Sequence, residues 1–450
     1  MVAPNTQASA ADQIPFRAAF LFWLKLGFIS FGGPAGQISI MHDEVVERRR
    51  WVSERRFLHA LNYCMVLPGP EAQQLATYIG WLMHGVWGGI IAGTLFVLPS
   101  LFILIGLSWV YIAFGDVSWV AGLLYGIKPA VTAIVAQAAY RIGLRTLKNT
   151  WTWGIAISAF VAIFALGLPF PLIVMCAALT GFVGGRLAPA AFQSTGGHAS
   201  KIGEYRQAVI HDQTVLPHTG FTWMRCARVI GIGFILWLAP MGLFVFYLGW
   251  EHILAQMSWF FTKAAFFTFG GAYAVLPYVY QGAVDHFGWL TGPQMIDGLA
   301  LGETTPGPLI MVVTFVGFVG GYLDGFAGSE FRFLAGAGAA LAVTWFTFLP
   351  SFIFILAGGP LVEATHDEMK LTAPLSGITA AVVGVIASLA LFFAIHVFWP
   401  EGVGGRFDVG SLLIALGACI ALFRFGTNVI WVILGAAASG LLLSMFPLGA

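Results

Sequence analysis

The sequence predicts an all-α polytopic membrane protein built from two homologous, inverted repeats with broken or re-entrant helices. The first observation is composition: 59% of the 450 residues are apolar and 9% are charged, whereas soluble domains average about 25% charged residues. The second is that several apolar stretches exceed the roughly 20 residues a helix needs to cross a bilayer. The third is a Pro-Gly-Pro triplet that recurs in both halves. So little charge excludes a water-soluble protein of this size, and no feature indicates nucleic-acid binding.

Apolar segments follow one another in two similar series. They lie near 16–33, 57–84, 86–114, 118–140, 151–168 and 170–187, and again, after one extra helix, near 257–280, 294–322, 333–358, 373–399, 409–424 and 427–446. The predicted domains are a first transmembrane repeat at 14–187, a cytoplasmic polar linker at 188–227, a connecting transmembrane helix at 228–250, and a second, inverted repeat at 257–446.

A constant register relates the two series. Residues 23–33 align with 261–271 at an offset of 238, with five of eleven positions identical, and the same offset joins Pro68-Gly69-Pro70 to Pro306-Gly307-Pro308. Further on the offset becomes 251, which matches Leu98-Pro99-Ser100 with Leu349-Pro350-Ser351. So many matches in one register indicate a true repeat.

Basic residues are distributed unequally between equivalent loops. Two loops of the first half hold eight of them: Arg48, Arg49, Arg50, Arg55, Arg56, Arg141, Arg145 and Lys148. The matching segments, 279–294 and 392–410, hold only Arg406. Because Lys and Arg accumulate in cytoplasmic loops, we expect inverted halves, with the N-terminus inside and the C-terminus outside. Two crossing patterns stay open: nine crossings plus helical hairpins at the breaks, or about 13 plain spans.

The Pro-Gly-Pro triplets predict breaks that could bind an anion. Proline removes backbone donors and favours the first turn of a helix, while glycine permits a sharp reversal. A helix starting near Pro70 would direct free N–H groups at the break. The Gly-Gly breaks 36 residues upstream would add further helix starts. The predicted substrate-binding residues at the breaks are Gly32, Gly33, Pro34, Pro68, Gly69, Pro70, Gly270, Gly271, Pro306, Gly307 and Pro308. The alternative is that each triplet only kinks a packed helix.

Polar side chains near the breaks complete the candidate site. Lys25 and Lys263 occupy matched places within apolar segments, where a charge is a functional hypothesis by default; each could balance an anion or extend to the membrane interface. Gln73, Thr304 and Thr305 could hydrogen-bond a ligand or satisfy freed backbone groups. The predicted proton-coupling residues are Glu71, Glu303 and His42. Glu71 could instead stabilise a helix N-terminus, and His42 could belong to a solvated, salt-bridged flank.

Signatures of other function classes do not occur in the sequence. It contains no HExxH, GxSxG, Walker loop or GxGxxG, which argues against an enzyme or an ATP-driven pump with its motor in the same chain. The four cysteines are scattered, so neither a metal site nor a disulfide framework is expected. No cofactor is expected, and an ion or proton gradient would supply energy.

Seven motifs resemble those of the chromate ion transporter family, of the long-chain bidomain type. They are Phe31-Gly-Gly-Pro34, Glu47-Arg-Arg-Arg-Trp51, Leu67-Pro-Gly-Pro70-Glu-Ala-Gln-Gln74 and Leu98-Pro99 in the first half, and Phe269-Gly-Gly-Ala-Tyr273, Gly288-Trp289 and Gly302-Glu-Thr-Thr-Pro-Gly-Pro308 in the second. The resemblance covers both halves, from about 16 to 446.

The resemblance implies export of chromate across the cell inner membrane, driven by the proton motive force and giving chromate resistance. The expected partners are chromate or a related tetrahedral oxyanion, protons and the lipid bilayer; a homodimer is left open. Residue chemistry alone does not separate chromate from sulfate, so a sulfate or other oxyanion transporter remains an alternative, as does an anion channel.

Overall fold

The described part of the chain is almost entirely helical. The computed structural model describes residues 14–31, 33–115, 117–189, 208–211, 214, 216–269, 271–364, 372–402 and 404–445. The first half comprises α1 (Phe16–Ile29), α2 (Gly33–His42), α3 (Glu54–Val66), α4 (Glu71–Phe114), α5 (Ser118–Thr146), α6 (Thr150–Phe164) and α7 (Phe170–Leu187). The connecting helix α8 (Trp223–Leu248) begins five residues before the predicted start at 228.

The second half repeats this series. It comprises α9 (Ile253–Phe267), α10 (Ala272–Tyr280), α11 (Gly292–Thr304), α12 (Val312–Asp324), α13 (Arg332–Ala364), α14 (Thr372–Phe398), α15 (Val409–Cys419) and α16 (Val429–Met445). Among the residues that the structure describes, six helical stretches are long and apolar enough to cross a membrane: Glu71–Phe114, Ser118–Thr146, Phe170–Leu187, Trp223–Leu248, Ser329–Glu363 and Ala373–Phe398. The predicted all-α polytopic fold with two repeats is confirmed.

Irregular backbone features recur in both halves at the 238-residue offset that the sequence shows. A π-helical turn at Asp43–Arg48 has its equivalent 238 residues later at Gln281–His286. Two residues beyond each turn the backbone is left-handed, at Arg50 (φ 53°) and at Gly288 (φ 63°). Past the middle of each half the equivalent residues are 259 apart. Asn149, which caps the N-terminus of α6, corresponds to Asp408, which caps that of α15. The repeat therefore extends to details that sequence identity does not reveal.

Each half begins with a helical hairpin that closes at the Gly-Gly break. Phe22 of α1 packs against Trp51, with 5.4 Å between ring centroids, so the chain beyond α2 has returned along α1. The equivalent pair, Phe260 and Trp289, lies at 5.6 Å. At 14 and 10 residues, α1 and α2 are each too short to span the hydrocarbon core. Two such hairpins thus have their tips between α1 and α2 and between α9 and α10, and we call these the Gly-Gly tips.

A second hairpin in each half closes at Pro-Gly-Pro. Tyr63 of α3 packs against Tyr78 of α4, with ring centroids 5.9 Å apart, and Gly298 of α11 packs against Phe315 of α12. The chain then reverses again inside α4, where His84 and Gly85 leave helical geometry. We call residues 71–83 α4a and residues 86–114 α4b. The Pro-Gly-Pro triplets are therefore also hairpin tips.

Equivalent helices of the two halves run antiparallel. Along the contact between α4b and α13, Gly89 faces Leu356, Gly93 faces Phe352, and Trp109 packs on Phe333. Along this contact, residue numbers increase on α4b and decrease on α13, so the two helices run antiparallel. Since the repeat relates these two helices, the halves are inverted with respect to each other, as predicted.

The halves also exchange their last helices. Gly126 of α5 abuts Ala436 and Gly440 of α16, while the equivalent Gly377 of α14 abuts Ala177 and Gly181 of α7. Glycine is required because a Cβ on Gly126 would lie 2.0 Å from the Ala436 carbonyl oxygen, and one on Gly377 would lie 2.4 Å from that of Ala177. Neither half can complete its packing without the other.

We expect Gly126→Ala to destabilise the protein, by about 1–3 kcal/mol as overpacked interiors do, because the added methyl group would force α5 and α16 apart. Gly106→Ala is the matched control: Gly106 is exposed in α4b, and a Cβ added there would have no neighbour within 4 Å. Thermal unfolding in detergent measures both. Equal midpoints for the two variants would contradict the close α5–α16 contact.

Candidate functional site

The four tips bring helix N-termini into the interior of the protein. Helices or helical turns begin directly after each break, at Gly33, Glu71, Ala272 and Leu309. The first N–H groups of a helix lack intrahelical acceptors and carry its positive dipole end. Non-helical backbone at membrane depth is tolerated only where protein or water surrounds it. Helices or helical turns thus begin directly after all four breaks that the sequence predicts.

Reciprocal hydrogen bonds join the tips of opposite halves. The Gly69 N–H donates to the Thr268 carbonyl oxygen at 2.7 Å, and the equivalent Gly307 N–H donates to the Ser30 carbonyl oxygen, also at 2.7 Å. The Pro-Gly-Pro tip of each half therefore docks on the Gly-Gly tip of the other. These two N–H groups serve that contact, so the backbone donors open to a ligand are those of the first helical turns.

A serine of the opposite half covers each tip glycine. A Cβ on Gly69 would lie 2.5 Å from the Ser351 Oγ, and one on Gly307 would lie 2.7 Å from the Ser100 Cβ. Ser100 and Ser351 are equivalent residues and are fully buried. Both tip glycines have positive φ, 126° and 109°. The triplets thus combine a backbone shape and a close contact that only glycine permits.

Three buried glutamines line the tips, all from the first half. Gln37 donates to the Gly307 carbonyl oxygen at 2.5 Å, Gln74 to that of Pro68 at 2.8 Å, and Gln73 to the Thr77 hydroxyl at 3.1 Å. The other amide atom of each has no partner among the described residues, and the same is true of two serine hydroxyls; these unpartnered atoms are Gln37 Oε1, Gln73 Oε1, Gln74 Oε1, Ser30 Oγ and Ser100 Oγ. Buried polar atoms normally have partners, so this cluster suits a polar ligand.

The second half contributes different groups. The positions equivalent to the glutamines hold Val275, Met311 and Val312. Thr304 and Thr305 donate to the carbonyl oxygens of Leu301 and Gly302 at 2.8 and 2.9 Å, so their hydroxyl protons cap the end of α11. The tip region is symmetric in backbone and asymmetric in chemistry.

The two predicted proton-coupling carboxyls differ in their contacts. Glu303 is buried, and Tyr273 donates to its Oε1 at 2.5 Å. Glu71, the first residue of α4a, is half-buried and has no hydrogen bond or ion pair to any residue that the structure describes. The Glu303 carboxyl is therefore held by a tyrosine, whereas the Glu71 carboxyl has no such partner among the described residues.

Other predicted residues lie away from the tips. Lys25 is exposed and shares the outward face of α1 with Leu21 and Phe28, because the opposite face packs on α4b. Lys263 is half-buried over the Trp259 ring, 5.8 Å from its centroid. His42 ends α2, where its Nε2 lies 2.5 Å from the Glu54 carboxylate. The structure does not bring these three side chains together with the tips.

Two predicted residues lie outside the described part of the chain, Gly32 and Gly270. Of the remaining tip residues, Gly33 and Pro34 are half-buried, as is Pro68, while Pro70, Gly271, Pro306 and Pro308 are buried.

Two ionic clusters that the sequence analysis missed bridge the halves. In the Arg56 triad, Glu363 lies 2.6 Å from the Arg56 guanidinium and accepts a 2.6 Å hydrogen bond from Tyr78. In the Lys128 triad (Lys128, Asp297 and Tyr111), the ammonium lies 3.2 Å from Asp297, which also accepts a bond from Tyr111 at 2.9 Å. Lys128 and Asp297 stand within predicted apolar segments, a signal that could have found them; Arg56 was hidden in a basic run.

The polar linker docks beside the Arg56 triad. Val52 pairs with Ile210 in an isolated parallel bridge, and Arg56 donates to the carbonyl oxygens of His211 and Thr214 at 2.9 and 3.1 Å. Burial lowers the pKa of His218, and the nearby guanidinium groups of Arg225 and Arg56 act in the same direction. The linker segment therefore adds no positive charge from His218 at neutral pH beside the Arg56 triad.

Two equivalent surface grooves are separate from the tips. One, of about 510 Å³, lies between α6 and α7, and its counterpart of about 600 Å³ lies between α15 and α16. Both are lined mainly by apolar residues on the outer surface, and no tip residue lines either.

Known proteins match the chain across both halves. The family profile described as "Chromate transporter" matches residues 17–182 and 255–441. The chromate transport protein of Pseudomonas aeruginosa is 32% identical over 452 residues, covering 98% of this chain and 95% of that protein. The probable chromate transport protein of Synechococcus elongatus is 29% identical, covering 90% and 89%.

A shorter relative matches one part of the chain. The uncharacterized transporter YwrB of Bacillus subtilis is 28% identical over 155 residues, which is 34% of this chain and 79% of that protein. No solved structure shows a significant match.

We expect Gly69→Ala to lower both the yield of folded protein and its midpoint of thermal unfolding, because the methyl group would collide with Ser351 and force an unfavourable φ. Gly33→Ala is the control for the backbone effect alone, since Gly33 also has positive φ but no atom near its Cβ direction. A left-handed residue costs about 1–2 kcal/mol, so Gly69→Ala should lose clearly more. Equal losses would contradict tip-to-tip docking.

Proposed function

Because the chain belongs to the chromate transporter family, we propose that it exports chromate from the cytoplasm across the inner membrane, using the proton motive force, and thereby confers chromate resistance. The observation that carries the proposal is the meeting of inverted tips at which helices begin, beside the buried, unpartnered hydroxyls of Ser30 and Ser100. Inverted repeats with broken helices at their interface are the usual construction of secondary transporters. Curated relatives named as chromate transport proteins support the choice of substrate.

We place the oxyanion at the tips between the halves. Chromate is a tetrahedral dianion with four acceptor oxygens, so it needs several convergent donors. The first helical turns after Gly33, Pro70, Gly271 and Pro308 supply N–H groups, and the unpartnered Ser30 and Ser100 hydroxyls supply two more donors. Neutral donors of this kind stabilise a dianion without holding it as tightly as a fixed opposite charge would. Release, which transport requires, is then easier.

Glu71 and Glu303 are the proposed proton-coupling residues. Both stand beside a Pro-Gly-Pro tip, where a carboxyl can take up a proton from the outer side and release it to the cytoplasm. A proton-driven exporter moves protons inward while the oxyanion moves outward, so each carboxyl would be protonated in the return step, after the oxyanion has left.

The proposed orientation follows the basic loops. Arg48, Arg49 and Arg50 precede α3, and Arg141 and Arg145 end α5; their equivalents are nearly uncharged. This bias favours a cytoplasmic N-terminus and an outer C-terminus. A homodimer would be compatible with the proposal and is not required by it, because the tips come from one chain.

An anion channel is the competing function. Helix N-termini directed at a pore can also serve a channel. The tip-to-tip hydrogen bonds at 2.7 Å favour a carrier, since they close the interior in this conformation.

We expect inverted membrane vesicles that contain the protein to accumulate chromate when a proton gradient is imposed, and to stop when the gradient is collapsed. Labelled chromate uptake measures this, with sulfate as competitor and vesicles lacking the protein as control. Uptake that ignores the gradient and does not saturate would favour the channel. Strong inhibition by equimolar sulfate would favour a general oxyanion transporter.

We expect Glu71→Gln to abolish gradient-driven uptake while leaving downhill chromate exchange, because the amide keeps the shape of the carboxyl but cannot carry a proton. Glu303→Gln should act similarly, and its amide oxygen can still accept the Tyr273 hydrogen bond. Glu330→Gln, at an exposed loop position, is the matched control. Normal gradient-driven uptake in both tip variants would remove the carboxyls from the coupling step.

A further inference from the structure

The Arg56 and Lys128 triads lie on opposite sides of the tips. Thr77 and Trp81 flank Gly89 across the α4 hairpin, which puts Tyr78 near the level of Gly89 on α4b. Ser100, which covers the Gly307 tip, is 11 residues further along α4b, and Tyr111 is 11 residues beyond Ser100. At 1.5 Å per residue, each triad stands about 16 Å from the tip level, on either side of it.

Both triads divide their charges between the halves in the same way. The cation and the tyrosine come from the first half, and the carboxylate comes from the second. This division is not inherited from the repeat, because the positions equivalent to Arg56 and Lys128 hold Gln294 and Thr379. The repeat therefore accounts for neither ion pair, and each pair is a contact between the halves.

A purely structural role does not explain two ion pairs whose carboxylates, Glu363 and Asp297, are only 11% and 5% exposed. Desolvation makes a buried ion pair no better for stability than an apolar pair of similar volume. One cation stands on each side of the tip level, however, and no tip side chain among the described residues carries a positive charge.

We propose that Arg56 and Lys128 are two oxyanion-binding residues, one on each side of the tips, and that Glu363 and Asp297 occupy them while no oxyanion is bound. The proposal rests on the proposed oxyanion transport. An arriving tetrahedral dianion takes the place of the carboxylate on the cation. The carboxylate is then released from the first half, so binding on one side loosens the contact between the halves on that side.

The two sides differ in this conformation. The Arg56 and Glu363 side chains are 8% and 11% exposed, and the linker carbonyls of His211 and Thr214 hold the guanidinium in place. The Lys128 side chain is 31% exposed, whereas that of Asp297 is 5% exposed. An anion can therefore reach Lys128 before it reaches Asp297, and the Arg56 side is closed.

Sided kinetics test the proposal. In proteoliposomes with the protein in one orientation, chromate uptake and release are measured with substrate added to one face at a time. We expect Lys128→Gln to raise KM about ten- to hundredfold, the loss of a charged hydrogen bond, from one face only. Arg56→Gln should do the same from the other face. Lys128→Arg should keep most of the affinity, and Arg332→Gln, at an exposed position, should leave both faces unchanged.

A paired variant separates binding from structure. Lys128→Gln alone leaves Asp297 buried without its cation, so it can fail to fold. The double variant Lys128→Met with Asp297→Leu removes both charges and should fold. We expect it to be stable and still to show a raised KM from the Lys128 face. A double variant with wild-type KM from both faces, or single variants with equal changes on both faces, would overturn the proposal.

A direct binding measurement separates the role of the two cations in binding from the proposed export. Binding of labelled chromate and of labelled sulfate is measured on the same purified variants in detergent. Weaker oxyanion binding by the double variant, in a protein that shows no gradient-driven flux, would support the binding role and reject the exporter. Gradient-driven flux in the wild type with unchanged binding in the double variant would reject the binding role and keep the exporter.

Discussion

The exchange of two hydrogen bonds between the tips is the contact on which the rest of the structure depends. The Gly69 N–H donates to the carbonyl oxygen of Thr268, and the Gly307 N–H donates to that of Ser30. Thr268 and Ser30 each cap the C-terminus of a helix in the other half. An unpaired backbone group at membrane depth costs several kcal/mol, and neither half can satisfy its own break. The four helical hairpins can therefore end inside the protein only when the halves are interlocked and inverted.

A symmetric backbone carries asymmetric chemistry. The hairpins, π-helical turns, tip glycines and covering serines recur in both halves, whereas the glutamines occur only in the first, and the carboxylates of both triads occur only in the second. Packing constrains both halves alike. Each Pro-Gly-Pro tip contacts a Gly-Gly tip of the other half, and the last helix of each half packs on a glycine of the other half. The proposed oxyanion site between the halves would not need every group twice, so the side chains of the two halves could differ there.

The sequence predicted what depends on local pattern and failed where contact geometry decides. The offset of 238 between the breaks predicted the equivalent tips, and the basic loops predicted the inversion that the antiparallel α4b and α13 confirm. The sequence singled out Lys25 and Lys263 because they occupy equivalent positions in the two repeats. In the structure the opposite face of α1 packs inward, so Lys25 lies on the outer surface. Lys128 and Asp297 are 169 residues apart, and no periodicity reveals a pair between different halves.

The connecting helix has a topological role more than a packing role. Only 11% of the residues in the most apolar stretch of α8 are buried, against 72% in the segment that contains α13. Its specific contacts are few: Trp237 donates to the Thr262 hydroxyl, and Trp345 donates to the Leu236 carbonyl oxygen. A helix that contributes so little to the core is retained because a second half of the same sequence pattern must begin on the other side of the membrane. Without that reversal the tips of the two halves would enter from the same side, and Gly69 and Gly307 could not both find their acceptors.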